Sequence, residues 1–468
     1  MGAAGKGGNS RLLLSSWAGA VAANVPTSRV VSARKETVFI GIGGKCNQKS
    51  VDLKRSLATM GSPMNRNVTP LDCSAKPYEV ARAMAERPGA VFFDSAHEAP
   101  GALSLLAAEP SLVLQGSTEE AWQALRQALR ERQCNGPFSG FAAGWVEYDG
   151  TFCFGFYDRP LLYRHDGQGG GEWLTKVPPL APGVVSAPQT PLAFCPVQAR
   201  EAYLEGVRRV QEYIAAGDIY QVNLTHRFVS PWDPANHAWS FYETLRRCSP
   251  APYAAFLSLQ GRTVLSSSPE LFLKIDGRSI CTRPIKGTRP RHPDAQADAR
   301  SAAELVSSAK EAAELVMITD LERNDLGQIC EYGSVRVAEL LRLERYRQVF
   351  HLVSTVEGKL RPEVDPVTAL RACFPGGSIT GAPKKRAREI IAELEPEPRG
   401  LYTGAIGYFG YNGQCQFNIA IRTVVIENGQ AHFHVGAGIV TDSIPEKEWQ
   451  ETLDKAAGIL LAGSEWNR

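Results

Sequence analysis

The sequence predicts an α+β protein with extensive antiparallel β-sheet, and two observations support this prediction. Asp276-Gly277, Asn412-Gly413 and Asn428-Gly429 each lie between runs rich in β-branched and aromatic residues. Such pairs tolerate the left-handed backbone and favour two-residue turns between antiparallel strands. Helical patterns are interleaved with these hairpins and show no regular alternation with single strands, which is typical of the α+β class.

The individual elements follow from local periodicity and stop signals. Apolar residues recur at positions 203, 207, 210 and 214 before Gly217, which predicts a helix over 199–216. The other predicted helices are 119–132, 301–323, 383–395 and 446–462, and the predicted strands are 91–95, 138–148 and 220–228. Residues 166–191 are rich in Gly and Pro, which indicates an exposed connection between an N-terminal portion and the larger remainder.

Composition excludes several classes of protein. The 468 residues carry a net charge of +2, so there is no general reason to expect nucleic acid or an anionic membrane as a partner. No run of 18 apolar residues occurs, so no membrane span is predicted. The ten cysteines are scattered without a C-x-x-C pair, which favours a reducing cytoplasm over a disulfide framework or a zinc site.

Residues 1–63 differ from the rest of the chain. They hold nine Lys and Arg residues against only Asp52 and Glu36, and they show no sustained period. We expect a disordered extension that adds nothing to the fold, arising either as a targeting segment or from a start assigned upstream of Met64. The remainder is predicted to comprise an N-terminal region, 64–190, and a larger region, 191–468, which together form one intertwined globular unit.

The segment Cys281–Arg291, CTRPIKGTRPR, places Lys286 between an apolar residue and a glycine. Proline restricts φ and glycine permits a close backbone approach, so the segment is suited to holding one side chain rigidly. Three neighbouring arginines suit an anionic ligand. A basic surface loop would have the same composition, and these residues alone do not decide between the two interpretations.

Two predicted helices carry acidic pairs. Glu311 and Glu314 are three residues apart on one helix, and Glu448, Glu451 and Lys455 lie together on the last helix. Glutamates from two helices are a common way to hold Mg²⁺, which prefers oxygen ligands and leaves positions open for substrate oxygens. A solvated acidic face is the simpler interpretation of either pair alone.

Two glycine-rich segments predict close backbone approach to a ligand. Phe374–Lys384 is a turn that runs into a helix, where backbone N–H groups and the helix dipole favour an anion. It lacks the G-x-x-x-x-G-K-[ST] spacing of a nucleotide-binding loop. Gly436-Ala437-Gly438 follows a predicted strand. A tight structural turn explains either segment equally well.

Together, these motifs resemble one family, the chorismate-utilising enzymes, which include anthranilate synthase component I, aminodeoxychorismate synthase component I and isochorismate synthase. The resemblance covers about residues 88–462 and rests on GDIYQVNL, SSSPE, PIKGTRPR, KEAAELVMITDLERNDLG, HLVSTVEG, GGSITGAPK, YTGAIGY and GAGIVTDSIPEKEWQET. It implies two large antiparallel β-sheets packed as a sandwich with helices on the outside.

The resemblance also implies a role for each motif. Glu314 and Glu451 would hold Mg²⁺ against the ring carboxylate of chorismate, Glu270 would protonate the departing 4-hydroxyl, and Lys286 would be the nucleophile. The implied substrate-binding residues are His351, Thr380, Gly381, Ala382, Lys384, Tyr402, Arg422, Gly436, Ala437, Gly438 and Lys455. Arg422 can bind a carboxylate bidentately, which a lysine cannot do.

Two positions indicate a branch of the family. Members that make anthranilate carry alanine where this chain has Lys286, and members that make isochorismate carry a lysine where this chain has Gln221. The resemblance is therefore greatest to the aminodeoxychorismate synthase component I branch, which serves 4-aminobenzoate and folate synthesis. The alternatives are an anthranilate synthase component I, disfavoured by Lys286, and a silent tryptophan-sensing protein, disfavoured by the intact glutamates.

Departures from the family pattern concern regulation and partners. Ser95, Pro252 and Tyr253 match a tryptophan pocket of relatives, but Asp94 and Ser249 are substituted, so we expect no feedback control. Leu315 stands where relatives have His or Asn. No G-x-C-x-G nucleophile segment surrounds any cysteine, so we expect ammonia to come from a separate glutamine amidotransferase subunit.

Overall fold

The computed structural model describes residues 75–95, 101–136, 138–178, 190–346 and 349–466. The predicted extension, 1–63, lies outside the described residues. The helices are α1 (Pro77–Met84), α2 (Glu119–Glu131), α3 (Arg200–Ala215), α4 (Ala238–Cys248), α5 (Ala295–Ser307), α6 (Ala309–Gly327), α7 (Pro366–Cys373), α8 (Lys384–Leu394) and α9 (Pro445–Glu465).

Two large antiparallel sheets form the centre of the described chain. The strands are β1 (Val91–Asp94), β2 (Leu103–Ala107), β3 (Leu112–Gly116), β4 (Phe141–Val146), β5 (Phe152–Tyr157), β6 (Leu161–His165), β7 (Gly171–Trp173), β8 (Cys195–Pro196), β9 (Gln221–Pro231), β10 (Tyr253–Leu259), β11 (Arg262–Ser268), β12 (Leu271–Asp276), β13 (Ser279–Arg283), β14 (Ile285–Pro290), β15 (Arg336–Arg345), β16 (Val349–Lys359), β17 (Gly381–Ala382), β18 (Ala405–Gly410), β19 (Cys415–Ile419), β20 (Thr423–Glu427) and β21 (Gln430–Ile439).

Both sheets draw strands from distant parts of the chain. Among the described residues, the first sheet has 11 strands in the order β17-β9-β21-β20-β11-β10-β1-β2-β6-β7, with β8 paired to β9. The second has 10 strands in the order β14-β16-β13-β12-β19-β18-β4-β5-β3, with β15 paired to β16. Strands from before and after residue 190 therefore contribute to each sheet.

All three predicted hairpins form, but only Asn428-Gly429 is itself a two-residue turn: the first loop is Gly277-Arg278, and the second has three residues, 411–413. Asp276 pairs with Ser279 across the first turn, and Glu427 pairs with Gln430 across the third. Asn428 and Gly429 both have positive φ (50° and 72°), as a two-residue turn between right-twisted strands requires. These local signals correctly identified where the antiparallel ladders reverse direction.

The predicted class, two antiparallel sheets with helices outside, is confirmed. One buried cluster combines Val91 and Leu257 of the first sheet with Phe141 and Ile406 of the second, so side chains of both sheets share one apolar layer. Further clusters pack helices on the outer faces, such as α3 against β9. Burial of apolar surface at about 25 cal/mol per Å² makes these layers the main source of stability.

The prediction of a single helix over 301–323 was wrong, because the chain forms two helices there. Ser308 has extended backbone (φ −71°, ψ 106°), and its side-chain oxygen accepts a hydrogen bond from the Glu311 N–H at 3.3 Å. A serine competes well for backbone donors and is a preferred N-cap, so α6 starts afresh after α5 ends. This break sets the orientation of Lys310 and Glu314, which lie in the first turns of α6.

Two further findings bear on the predictions from composition. Within the described ranges, no helix is both long enough and apolar enough to cross a membrane. The eight cysteines within the described ranges are all free thiols.

Candidate active site

A cavity of about 950 Å³ lies where the turn before β17, the strands β9, β14 and β21, and the helices α6 and α9 meet. Of the predicted site residues, those that line it are Glu270, Lys286, Glu314, His351, Tyr402, Arg422, Gly436, Gly438, Glu451 and Lys455. These residues span almost 190 positions of sequence, so only the tertiary fold brings them together.

The segment around Lys286 is shaped by a proline and a glycine. β13 and β14 pair with successive parts of β16, and Pro284 separates them. The register shifts between Lys286 and Thr288, where Gly287 has a φ of +73°. A Cβ at Gly287 would lie 2.6 Å from Leu305, so glycine is required at this bulge.

The Lys286 side chain enters the cavity from this bulged strand. Its Nζ donates a hydrogen bond to the Ser378 carbonyl oxygen at 3.1 Å. Lys286 also interacts electrostatically with Glu270 and with Glu314. The amino group therefore lies in the same cavity as two carboxyl groups that attract it.

Glu270 and Arg422 are carried by two segments that cross between the sheets. Glu270 lies between β11 of the first sheet and β12 of the second, and Arg422 lies between β19 and β20. The crossings run side by side, since the Ile419 N–H donates to the Glu270 carbonyl at 3.1 Å and the Ser267 N–H donates to the Arg422 carbonyl at 3.0 Å. These backbone bonds hold the two crossing segments together, and the side chains of Glu270 and Arg422 both line the cavity.

Glu270 has the properties of a proton donor. Its side chain is buried, and burial raises the pKa of the carboxyl group above its usual value, although the Ser378 hydroxyl and Lys286 act in the opposite direction. A carboxyl group in such surroundings favours its neutral form. A carboxyl group that keeps its proton to a higher pH than usual is suited to donating that proton to a leaving group.

Arg422 is a cation without a protein partner. Among the described residues, its guanidinium group makes no ion pair and no hydrogen bond, and burial lowers its pKa. Its backbone is left-handed (φ 48°), which is uncommon for a residue with a side chain and recurs at functional sites. An unpaired guanidinium group in a cavity is suited to a carboxylate ligand.

His351 lies beside these groups as a neutral imidazole. Burial, reinforced by the nearby Arg422, lowers its pKa to about 4. Its Nδ1 is 3.0 Å from the Thr288 Oγ1, which orients the ring from the strand that carries Lys286. A neutral ring can line a pocket for an apolar ring of a substrate without adding charge.

The carboxylates of α6 and α9 form the opposite wall. Burial raises the pKa of Glu314, whose side chain is 12% exposed, and the nearby Glu451 raises it further. Burial also acts upward on Glu451, but Lys455, at 2.8 Å, lowers its pKa overall. Glu448 is buried, and its Oε2 has no hydrogen-bond partner among the described residues.

This donor set fits a hard cation that is completed by other oxygens. Within the described ranges, no three His, Cys, Asp or Glu side chains converge closely enough to enclose a metal ion by themselves. Mg²⁺ is usually bound by one or two carboxylates together with water and substrate oxygens, so Glu314 and Glu451 suffice as protein ligands. The unpaired Oε2 of Glu448 means that this wall still has a buried oxygen that could accept a hydrogen bond or bind a cation.

The backbone at the end of β21 lines the floor of the cavity, through Gly436 and Gly438. Gly436 accepts a hydrogen bond from Lys455 Nζ at 2.9 Å. A Cβ at Gly438 would lie 2.2 Å from the Gln221 Nε2 and 3.7 Å from the Glu314 carboxylate, so only glycine fits there. Tyr402 stacks on His434, with ring centroids 5.3 Å apart. His434, which sequence reasoning missed, also lines the cavity.

Five predicted binding residues do not line the cavity. Thr380, Gly381 and Ala382 lie behind its wall, where β17 pairs with β9, and Ala437 packs its side chain into the apolar cluster of α3. Lys384 points to a separate cavity, and its Nζ lies 2.6 Å from the Asp325 carboxylate. Its charge is therefore already neutralised by a protein partner.

A buried ion pair that sequence reasoning missed supports the pocket wall. Arg399 Nη2 lies 2.7 Å from Glu395 Oε1, and the two side chains are at most 5% exposed. The same guanidinium group donates to the carbonyls of Asn223 (2.7 Å) and Ile379 (3.0 Å), both of which line the cavity. The four-residue spacing of Glu395 and Arg399 could have indicated this pair in the sequence. The same spacing is common on exposed helix surfaces, so it does not identify a buried pair.

The predicted tryptophan-pocket residues lie apart from the cavity lining. β1 pairs with β10 so that Asp94 is opposite Ala254, which brings Ser95 close to Tyr253 and Pro252. Ser95 Oγ donates to the Leu103 carbonyl at 2.8 Å. Asp94 is buried and forms an ion pair with Arg246. Leu315, the other departure from the family pattern, is fully buried in an apolar cluster with Phe350 and Leu352.

Glu322 of α6, which contacts Thr282 of β13, predicts a pH-dependent stability. Burial raises its pKa from 4.5 to about 8, although a hydrogen bond from Thr282 opposes the shift. The folded state therefore retains a proton that the unfolded state releases, and stability falls as pH rises from about 4.5 to about 8. At about 1.4 kcal/mol per pKa unit, the loss is on the order of 4 kcal/mol.

Glu322→Gln tests this directly, because the amide cannot ionise but still accepts the hydrogen bond. We expect the free energy of unfolding of the variant to exceed that of the wild type increasingly between pH 5 and pH 8, measured by urea titration. Asp320→Asn, an exposed change on the same helix, should leave the pH dependence unaltered. Parallel curves for the wild type and Glu322→Gln would show that Glu322 ionises normally in the folded protein.

The fold and the cavity together place a buried acid, an amine and a wall of carboxylates around one pocket. The chorismate binding enzyme model matches residues 106–461. The chain is 30% identical to the anthranilate synthase component I of Streptococcus pneumoniae TIGR4, whose crystal structure superposes with a TM-score of 0.68 over 77% of this chain and 92% of that chain. The chain therefore belongs to the chorismate-binding enzyme family.

Two curated relatives with different activities are similar to this chain in sequence over part of their length. The aminodeoxychorismate synthase component 1 of Bacillus subtilis is 45% identical over 62% of this chain and 61% of its own length. The anthranilate synthase component 1 of Thermus thermophilus is 49% identical over 56% of this chain and 57% of its own. The matches thus span about three fifths of these relatives, and identity does not separate the two activities.

Proposed function

We propose that this chain is the large subunit of an aminodeoxychorismate synthase, which converts chorismate and ammonia to 4-amino-4-deoxychorismate for 4-aminobenzoate and folate synthesis. The observation that carries the proposal is the position of Lys286, whose amine projects from β14 into the cavity between Glu270 and Glu314. An amine held beside a neutral acid is equipped for covalent catalysis at a carbon bearing a leaving hydroxyl.

In the proposed first step, the nitrogen lone pair of Lys286 forms a bond to ring carbon 2 of chorismate. The two conjugated ring double bonds shift toward carbon 4, the bond from carbon 4 to oxygen breaks, and Glu270 supplies the proton with which the hydroxyl leaves as water. The carboxylate left on Glu270 then takes one proton from the lysine nitrogen, which becomes a neutral secondary amine. The burial of Glu270, which favours its protonated form, suits this role.

In the second step, ammonia attacks carbon 4, both ring double bonds shift back, and the bond between carbon 2 and Lys286 breaks. Glu270 gives its proton to the departing lysine nitrogen and takes one from the new nitrogen on carbon 4, so both amines end neutral. The new amine stands at carbon 4, because the second displacement reverses the shift of the first. Arg422 would hold a substrate carboxylate, and Tyr402 and His351 would flank the ring. The proposed source of ammonia is a separate glutamine amidotransferase.

We also propose a Mg²⁺ requirement, with Glu314 and Glu451 as the protein ligands. The ion would neutralise the ring carboxylate of chorismate and fix its position against α6 and α9. The burial of Glu314 and the unpaired oxygen of Glu448 support a cation at this wall.

The second candidate is an anthranilate synthase component I, favoured by the 49% identity to the Thermus thermophilus protein. The test is the product formed from chorismate, Mg²⁺ and ammonium, identified by mass spectrometry and fluorescence. We expect 4-amino-4-deoxychorismate, with the enolpyruvyl group still attached and no pyruvate released. Fluorescent anthranilate as the main product would reject the proposal in favour of the second candidate.

A further inference from the structure

Lys310 lies among the carboxylates of the α6–α9 wall. Its Nζ is 3.4 Å from Glu448 Oε1 and 3.9 Å from Glu314 Oε1. Lys310 and Glu314 are one helical turn apart on α6, whereas Glu448 is in the first turn of α9. The ammonium group therefore bridges the two helices at the place where the carboxylates face the cavity.

This bridge satisfies the carboxylates poorly. Both distances exceed the 2.7–3.2 Å usual for an N–H···O hydrogen bond. The Glu448 side chain is 3% exposed, yet its second oxygen has no partner among the described residues. A buried carboxylate normally has its oxygens paired, so this one can gain from a closer or more highly charged cation.

The charges on this wall lead to the same conclusion. In the described part of the chain, the ion-pair partners of Glu314, Glu448 and Glu451 are Lys310 and Lys455, while Lys286 acts electrostatically on Glu314 and Glu451. A divalent cation in place of the Lys310 ammonium group would add one positive charge beside these three carboxylates. Lys310 is 48% exposed, so its head group can move into solvent while its stem stays against the helix.

We propose that Lys310 is an internal cation that holds the place of the divalent ion, and that Mg²⁺ binds by displacing its ammonium group from Glu448 and Glu314. This inference rests on the proposed function, because that function includes a cation at these carboxylates. Lys310 prevents the carboxylates from repelling one another while no metal is bound. It thereby weakens Mg²⁺ binding, so that the ion is held firmly only when substrate oxygens complete its shell.

The position of Lys310 agrees with this role. Its Nζ lies against one oxygen of Glu448 and one of Glu314, so the lysine and a metal ion would compete for the same oxygens. Lys447, which also lines the cavity, forms no ion pair within the described ranges and serves as a matched comparison.

The test is Mg²⁺ binding to the full-length chain without substrate, by isothermal titration calorimetry. Lys310→Met keeps the length and helix propensity of the side chain but removes its charge. We expect affinity for Mg²⁺ to rise on the order of tenfold, because both the competition and the repulsion are removed. The rise in melting temperature on addition of Mg²⁺ should increase in parallel. Lys447→Met should change the affinity much less.

Equal or weaker Mg²⁺ affinity in Lys310→Met would overturn the inference, as would equal tightening by Lys447→Met or binding to neither protein. Lys310→Gln, which is also uncharged, carries the same test if the methionine variant misfolds. The proposed function is tested separately by its product. A wild-type chain that makes anthranilate while Lys310→Met binds Mg²⁺ more tightly would reject that function and leave the role of Lys310 intact.

Discussion

Lys286→Ala should lower the formation of 4-amino-4-deoxychorismate by on the order of 10³-fold, the scale on which loss of a covalent nucleophile is felt. Without the amine, ammonia itself can attack carbon 2, so we expect the residual product to be 2-substituted. The variant should stay folded, because Lys286 makes a single hydrogen bond, to the Ser378 carbonyl. Product analysis by mass spectrometry, with ammonium as the nitrogen donor, measures both the loss and the redirection.

Lys286→Arg separates nucleophilic from electrostatic action. Arginine keeps a positive charge between Glu270 and Glu314 but has no nucleophilic amine. We expect this variant to be as inactive as Lys286→Ala, while Lys447→Ala, at the rim of the same cavity, retains the wild-type product. Undiminished 4-amino product from Lys286→Ala, or its recovery in Lys286→Arg, would show that the lysine acts only through its charge.

Glu314→Gln and Glu451→Gln should each collapse turnover while the circular dichroism spectrum is unchanged. Either change keeps the shape of the side chain but removes a charge from the shell of a hard cation. Even the loss of groups that only support metal ligands costs roughly 10–100-fold, so a ligand itself should cost at least that much. Steady-state kinetics over a range of Mg²⁺ concentrations should show a higher requirement for the ion.

The matched control for these variants is Glu446→Gln, an exposed glutamate in the first turn of α9. It should leave both turnover and the Mg²⁺ requirement as they are in the wild type. Normal turnover with unchanged Mg²⁺ dependence in both Glu314→Gln and Glu451→Gln would remove these residues from the proposed metal site.

Local signals predicted the fold well because hairpins and helix stops depend on a few neighbouring residues. Asn428-Gly429 adopts positive φ at both positions, as its residue types indicate, and α3 ends next to Gly217. The split of the predicted helix at Ser308 was missed because serine is tolerated inside helices as well as at their starts. Its role as N-cap depends on the direction in which the packed chain continues.

The candidate site was only partly predictable, since its geometry arises from long-range packing. Motifs indicated Lys286, Glu270 and Arg422, and the two sheet crossings bring the last two together. Sequence could not show that Lys384 is paired with Asp325 outside the cavity. It also could not show that Lys310, an ordinary surface-type residue by composition, sits among buried carboxylates contributed by a helix 138 residues away.

The role of Lys286 is tested most directly by trapping the covalent intermediate. The wild-type chain would be incubated with chorismate and Mg²⁺ in the absence of ammonia, then quenched and analysed by intact-mass and peptide mass spectrometry. We expect the peptide containing Lys286 to gain the mass of chorismate less one water, and the corresponding peptide of Lys286→Ala to gain no mass. An unmodified Lys286 in a preparation that makes 4-amino-4-deoxychorismate once ammonium is added would contradict it.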